Sequence, residues 1–517
     1  MEVVEAKSLA GEVVLEIHRG RHQHRGHQKH RKHCRSPGLK SRATVLRSVA
    51  RSQVLVTRSW CRPALTLLDS PLNPTWRYAV PAIDPVLSAH FADRQPSGIR
   101  IAGIRFEQRQ TPAQALNTAI GNVSLPMHPA MQERMRELGR EDSPFAGGVV
   151  RYTATAGLPE ARETMLHVIA SSGFDTSGLH AQITDGGSQA MELLIAGCCG
   201  PAGSSERPLM LIDAAYTNYT AFAQRLARPT MSITRELKDD GSFSLPALDQ
   251  IEAAIKQHQP GALVVIPYDN PTGQLYTRET MLELARLCVA HGLWMISDEA
   301  YRELHYGDVD TVSIWGITED DVPGITGRRI SIETASKVFS ACGLRIGGIV
   351  TDNQDLHTRA VAENTASLCP NHIGQWIFAA LGAVPASELQ EWYDQQRDYY
   401  RQMMLSFTAD MSGRMPGLIV SRPEASLYSV IDVRKIAGEG FDALKFVLWC
   451  AEHGATELDG EAWTLLCAPM AGFYNTSPGQ PNPGRTQMRI AFVETPDKMA
   501  LVPRLFAELF TAYEAQR

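Results

Sequence analysis

Four short apolar runs constrain this chain more than any other feature. They span residues 208–213, 262–267, 293–297 and 330–333, and each ends in polar residues. Continuous runs of Val, Ile, Leu and Met of this length are strands buried on both faces. Between the second and third, residues 277–291 place Met281, Leu284, Ala285 and Cys288 at helical spacing, with Gly292 as the stop. Strands alternating with helices build an α/β domain around a mainly parallel sheet. Ligands in such sheets bind beyond the carboxyl ends of the strands, so the polar residues there are the candidate site.

The chain has 517 residues, too many for one ordinary core, and two or three domains are expected. Its charge is uneven. Residues 1–80 hold 15 Lys and Arg against 5 Asp and Glu, a net of +10, and the remainder holds 35 against 51, a net of −16. No acidic residue occurs from Ile17 to Leu68, where His18, His22, His24, His27, His30 and His33 alternate with Arg and Lys. Such a segment buries too little apolar surface to offset its ordering entropy, so residues 1–96 read as a basic, disordered leader. A transit peptide fits the Arg and Ser content but not Glu2, Glu5, Glu12 and Glu16. A nucleic-acid arm fits the charge but lacks a helix-turn-helix pattern. The nine cysteines show no CxxC and no metal-ligand spacing, which points to reduced thiols in a cytoplasmic setting. No apolar run approaches the roughly 18 residues of a membrane span.

The strand ends carry distinct chemistry. Thr184-Asp-Gly186-Gly187-Ser188 opens an apolar helix over 190–196, and small residues with free N–H groups at a helix start favour an anion. The first run leads into Asp213-Ala-Ala-Tyr216, where an aromatic either stacks on a flat ligand or simply packs. Tyr268-Asp-Asn270-Pro271-Thr272-Gly273 is a turn whose asparagine can also donate to a ligand oxygen. Asp298 serves equally as a helix N-cap or as a partner for a protonated ring nitrogen. The fourth run leads to Thr334-Ala-Ser336-Lys337, followed eight positions on by Arg345 among Gly343, Gly347 and Gly348. A lysine held among small residues suits Schiff-base chemistry, although a surface lysine in a βα loop reads as well from that stretch alone. Late in the chain, the alternation of Met488, Ile490 and Phe492 puts Arg489 on the opposite strand face. Either it or Arg485 could grip a carboxylate.

The joint order of these signals, from Gly187 to Arg489, resembles the pyridoxal-phosphate enzymes of the aspartate aminotransferase family, class I/II. The resemblance covers roughly residues 97–517 and implies fold type I. That is a large domain on a mainly parallel sheet of the seven-stranded type, with a smaller α/β domain. It divides the chain into 97–145 (N-terminal arm and part of the small domain), 146–370 (cofactor domain) and 371–517 (small domain, with a helix over 392–408 and a strand over 426–433).

By this likeness Lys337 anchors pyridoxal phosphate as a Schiff base and moves the substrate proton, with Asp298 and Tyr301 completing the catalytic set. Asp298 pairs with the pyridinium nitrogen, Asn270 and Tyr301 bind the phenolic oxygen, and Tyr216 stacks on the ring. Gly187, Ser188, Thr334, Ser336 and Arg345 bind the phosphate. Tyr152 resembles the tyrosine that reaches the partner subunit's phosphate, which implies a homodimer. Arg489, the backbone at Gly121 and Asn270 receive the substrate's α-carboxylate. The function implied is amino transfer between an L-amino acid and a 2-oxo acid, with no metal, membrane or nucleic-acid partner.

Two loops depart from the family's pattern: no proline precedes Tyr216, and Asp269 stands before Asn270. No residue can be singled out for a distal substrate carboxylate. A β-lyase, decarboxylase or oxidase would use the same residues. A transcriptional regulator with an aminotransferase-like domain would account for the basic leader.

Overall fold

The apolar runs become strands. The structure, a computed structural model, describes residues 84–201, 203, 207–477 and 479–517. Seven strands share one sheet: β1 (His180–Asp185), β2 (Leu209–Asp213), β3 (Thr230–Thr234), β4 (Ala262–Val265), β5 (Trp294–Asp298), β6 (Arg329–Thr334) and β7 (Ile346–Thr351). Their order is β1-β7-β6-β5-β4-β2-β3. Only β7 runs antiparallel to its neighbours. The α/β class and the seven-stranded, mainly parallel sheet expected from the sequence are therefore observed.

Alternate residues of each strand enter opposite layers. Leu211, Val264, Ile296 and Ile332 pack with Met191, Leu194 and Ile195 of the helix Gly186–Cys199. Met210, Leu263, Val265 and Met295 pack on the other side with Met281, Leu284 and Cys288 of the helix Arg278–His291. Both faces of the sheet are covered, which is why its strands show no polar alternation. Each such side chain stabilises the fold by about 1.5–3 kcal/mol. The helix Arg278–His291 starts where Thr277 accepts from the Thr280 N–H and stops at Gly292, whose φ of 69° suits glycine.

Register sets the site. Val265 lies opposite Ser297, Asp298 opposite Ile332, Thr334 opposite Gly347, and Ile346 opposite Asp185. The carboxyl ends of β4, β5, β6 and β1 and the start of β7 thus stand in one row.

A second, antiparallel sheet orders Ile419–Val420, Tyr428–Asp432, Gln487–Ala491 and Ala468–Pro469. Arg489 pairs there with Val430 and Ala468. The Ala491 N–H donates to the Thr118 carbonyl at 2.9 Å, tying residues 114–121 to this sheet. The helix expected over 392–408 runs from Ala386 to Arg414, because Leu389 and Met411 extend its buried stripe past both ends. The strand expected over 426–433 is Tyr428–Asp432.

Val86–Arg517 form one compact unit. Most of the expected leader, residues 1–83, lies outside the described residues. Its last part carries a four-residue helix, Ala89–Ala92, capped by Ser88. Among the described residues no helix is long and apolar enough to cross a membrane.

Candidate active site

A cavity of about 540 Å³ opens over the row of strand ends and is walled on its far side by the second sheet. Lys337, Asp298, Tyr301, Asn270, Tyr216, Gly187, Ser188, Thr334, Ser336, Arg345, Arg489 and Gly121 all line it.

One end is a cradle of backbone. Gly187 and Ser188 occupy the first turn of the helix Gly186–Cys199, and Asp185 before them supplies no side-chain cap. The leading N–H groups of a helix have no partner within it and attract an anion. The backbone here lies close to its neighbours: Gly186 takes φ 72°, which suits glycine, and a Cβ on it would come within 2.4 Å of Arg345 Nη2. One on Gly187 would meet the Ile332 and Thr334 methyls at 3.0 Å. Arg345 takes φ 56°, and its Nη1 donates to the Cys342 carbonyl at 3.1 Å, leaving the fork over the helix start.

The middle holds the titratable groups. Asp298 ends β5 and accepts from the Ala300 N–H at 3.1 Å and from the Tyr219 hydroxyl. Burial raises its pKa, while the Tyr219 hydrogen bond opposes the rise. Among the described residues no cationic side chain pairs with it. Lys337 Nζ donates to the Gly121 carbonyl, 216 residues away in the chain. The Tyr216 ring meets Tyr219 edge to face at 5.4 Å, and its hydroxyl accepts from Asn218 Nδ2 at 2.8 Å.

The opposite wall converges on Asn270. Its Oδ1 accepts from Arg489 Nη1 at 2.9 Å, and its Nδ2 donates to the Tyr301 hydroxyl at 3.3 Å. The Tyr301 and Tyr428 hydroxyls share a hydrogen bond at 2.8 Å. Burial, then the neighbouring Tyr428, holds the Tyr301 phenol well above its ordinary pKa, so it stays a donor. Arg489 is buried, with its guanidinium 4.4 Å from the Tyr428 ring centroid and 5.2 Å from that of Phe473. Its Nη2 donates to the Ala119 carbonyl at 2.6 Å, and its Nε has no partner. Arg485, the competing arginine, is largely exposed and stands 3.6 Å from Asp442, away from the cavity. A Cβ on Gly121 would lie 2.3 Å from the Tyr428 hydroxyl and 3.3 Å from Lys337 Nζ, so only glycine fits.

Tyr152 is not brought to this cavity. It is 79% exposed on a surface that also shows Val149 and Val150. Tyr428, Tyr219 and Arg100 also line the cavity and are not among the residues expected there from the sequence. Tyr219 had a signal, since it lies three positions after Tyr216 at the start of the helix Thr217–Arg225. Tyr428 and Arg100 had none, because a strand tyrosine and a first-turn arginine are ordinary. Arg100 lines the cavity from the helix Gly98–Glu107 and forms no side-chain hydrogen bond or ion pair among the described residues.

A lysine, a carboxylate without a cation, an anion cradle and a buried guanidinium over one sheet edge define a class of enzyme. The family described as aminotransferase class I and II matches residues 116–458, and the chain belongs to it. It is a pyridoxal-phosphate-dependent enzyme that moves an amino group between an amino acid and a 2-oxo acid. An aspartate aminotransferase of Streptomyces avermitilis is 25% identical over 293 residues, covering 56% of this chain and 67% of that one. An aspartate/prephenate aminotransferase of Thermus thermophilus is 26% identical, covering 61% and 77%. An arginine–pyruvate transaminase of Pseudomonas aeruginosa is 31% identical but covers only 44% and 54%. In fold, a Thermus thermophilus aspartate aminotransferase structure superposes with a TM-score of 0.66 at 20% identity, over 82% of this chain and all of that one.

The cavity fits pyridoxal phosphate. The cradle at Gly186 and Gly187 suits its phosphate, the uncompensated Asp298 suits a protonated ring nitrogen, and Lys337 lines the same cavity.

Proposed function

We propose that Lys337 is the anchoring and proton-moving amine of this aminotransferase and that the other lining residues divide into a cofactor set and a substrate set. The observation that carries this reading is convergence: Lys337, Asp298, Asn270 and Arg489 line one cavity although they leave different strands of two sheets. Bound pyridoxal phosphate supplies a carbonyl carbon and an electron-accepting ring. Gly187, Ser188, Thr334, Ser336 and Arg345 hold its phosphate. Asp298, kept in place by Tyr219, pairs with the ring nitrogen, and Tyr216 lies against the ring. Asn270 and Tyr301 donate to the phenolic oxygen, with Tyr428 orienting the Tyr301 hydroxyl.

Arg489 and the Gly121 backbone orient the substrate α-carboxylate, which aims its Cα–H at Lys337 Nζ. Lys337 then takes that proton as a general base. Tyr152 reaches the phosphate of a second subunit, which makes the working enzyme a homodimer; its exposure is consistent with this. Residues 146–370 form the cofactor domain and 371–517, with part of 97–145, the small one, in a cytoplasmic protein with a basic leader at 1–96. Arg100 supports an acidic side chain on one substrate, as the names of the two aspartate-type relatives say of those proteins.

A half-reaction tests the assignment. Amino acid added to the enzyme should convert the absorbance of the lysine-bound cofactor to that of the pyridoxamine form, with release of the 2-oxo acid. Lys337→Ala should lose both that absorbance and about 10²–10⁴-fold of turnover. Retained lysine-type absorbance in Lys337→Ala would assign the wrong lysine. Pyruvate and ammonia without an added oxo acid would favour the β-lyase reading.

A further inference from the structure

Behind the cavity wall, a buried ion pair occupies the turn that carries Asn270. Asp269 is fully buried and Arg235 is 3% exposed. Arg235 Nη2 donates to Asp269 Oδ1 at 3.1 Å and to the Ile212 carbonyl at 3.0 Å. Its Nη1 reaches Thr272 Oγ1 at 3.3 Å and Gln274 Oε1 at 3.1 Å. The other carboxylate oxygen of Asp269 accepts from the Thr272 N–H at 3.1 Å and from Thr272 Oγ1 at 2.5 Å. The Asp269 carbonyl accepts from Ser426 Oγ at 2.9 Å.

These bonds tie together three of the segments that deliver site residues. Asp269 precedes Asn270. Ile212 leads into the loop that ends at Tyr216, and the Arg235 N–H donates to the Asp213 carbonyl at 2.8 Å. Ser426 lies two residues before Tyr428 in the chain. A buried ion pair is costly to desolvate and adds little net stability, but breaking it leaves an uncompensated charge. It therefore favours one arrangement of the atoms around it. Asn270 needs one arrangement, since its amide must show oxygen to Arg489 and nitrogen to Tyr301 at once.

We propose that the Arg235–Asp269 pair is a positioning device for Asn270. By fixing the turn, it sets both the grip of Arg489 on the substrate carboxylate and the donation to the cofactor's phenolic oxygen. The inference rests on the roles assigned above to Asn270 and Arg489.

The test uses full-length holoenzyme. Asp269→Asn keeps the side chain's shape and removes its charge. It should retain bound cofactor, raise KM for the amino acid about tenfold with a smaller fall in kcat, and move the pH midpoint of the cofactor absorbance by about one unit. A variant with wild-type KM and midpoint and only a lower melting temperature would make the pair structural and overturn the proposal. If Asp269→Asn does not fold, Thr272→Val decides: it removes the hydroxyl bonded to Asp269 Oδ2, and the same KM and midpoint changes are expected. Failure of the lysine assignment is distinguishable, because it shows as retained lysine-type absorbance in Lys337→Ala.

Discussion

The cofactor end and the substrate wall of this cavity are built differently. Gly187, Asp298 and Thr334 stand at or just beyond the ends of neighbouring strands of one sheet, so register alone brings them into a row. Gly121, Tyr428 and Arg489 come from segments more than sixty residues apart, joined through a second sheet and single hydrogen bonds such as Ala491 N–H to Thr118. The first arrangement tolerates loop change, because the sheet holds it. The second depends on contacts between segments, and one misplaced side chain disturbs several groups.

The largest break in that comparison is Arg489→Ala. It leaves the Asn270 and Ala119 oxygens without their donor, and losing a buried, hydrogen-bonded charge costs about 2–5 kcal/mol. We expect kcat/KM to fall accordingly while the cofactor absorbance stays, as spectra beside steady-state rates will show. Loss of cofactor binding would mean that the two ends are not separable.

Asp213 links the ends. It accepts from the Asn475 N–H at 2.5 Å and from Asn475 Nδ2 at 3.2 Å, and the adjoining Ala215 N–H donates to the Phe473 carbonyl at 2.9 Å. Burial raises its carboxyl from the ordinary value near 3.8 to about 6, against the pull of Asn475. The folded chain thus keeps a proton that the unfolded chain has released. That contribution is complete below about pH 4 and is lost as pH rises through about 6. Relative to Asp213→Asn, the wild type should lose about 3 kcal/mol of stability across this window. Denaturant titrations of both proteins from about pH 4 to 7 measure it; a pH-independent difference would remove Asp213 from the link.

Arg100→Gln tests the outer rim of the substrate wall. KM for a dicarboxylic substrate should rise about tenfold, worth about 1.4 kcal/mol, with little change for an apolar one. Equal changes for both would dismiss the acidic-substrate reading. The smallest effect is expected from Tyr428→Phe, which removes one hydroxyl beside Tyr301 and keeps the ring under Arg489. About 1 kcal/mol, roughly fivefold in kcat/KM, should be lost. A far larger loss would give the Tyr428 hydroxyl a role beyond orienting Tyr301.

The sequence by itself determined the sheet and the cofactor end. Buried parallel strands need unbroken apolar runs, and their carboxyl ends then carry the chemistry, so Asp298 and Lys337 were legible as candidates. Arg489 was legible as an arginine facing away from Met488 and Ile490, though not whether that face met solvent or a cavity. Only the tertiary structure decided this, with Tyr428 and Phe473 packed around its guanidinium. It also separated Arg489 from Arg485, found Tyr428 and Arg100, and explained the aspartate before Asn270 by the buried Arg235 facing it. Local periodicity records which side of a strand a residue takes, whereas contacts between residues far apart in the chain leave no period in it.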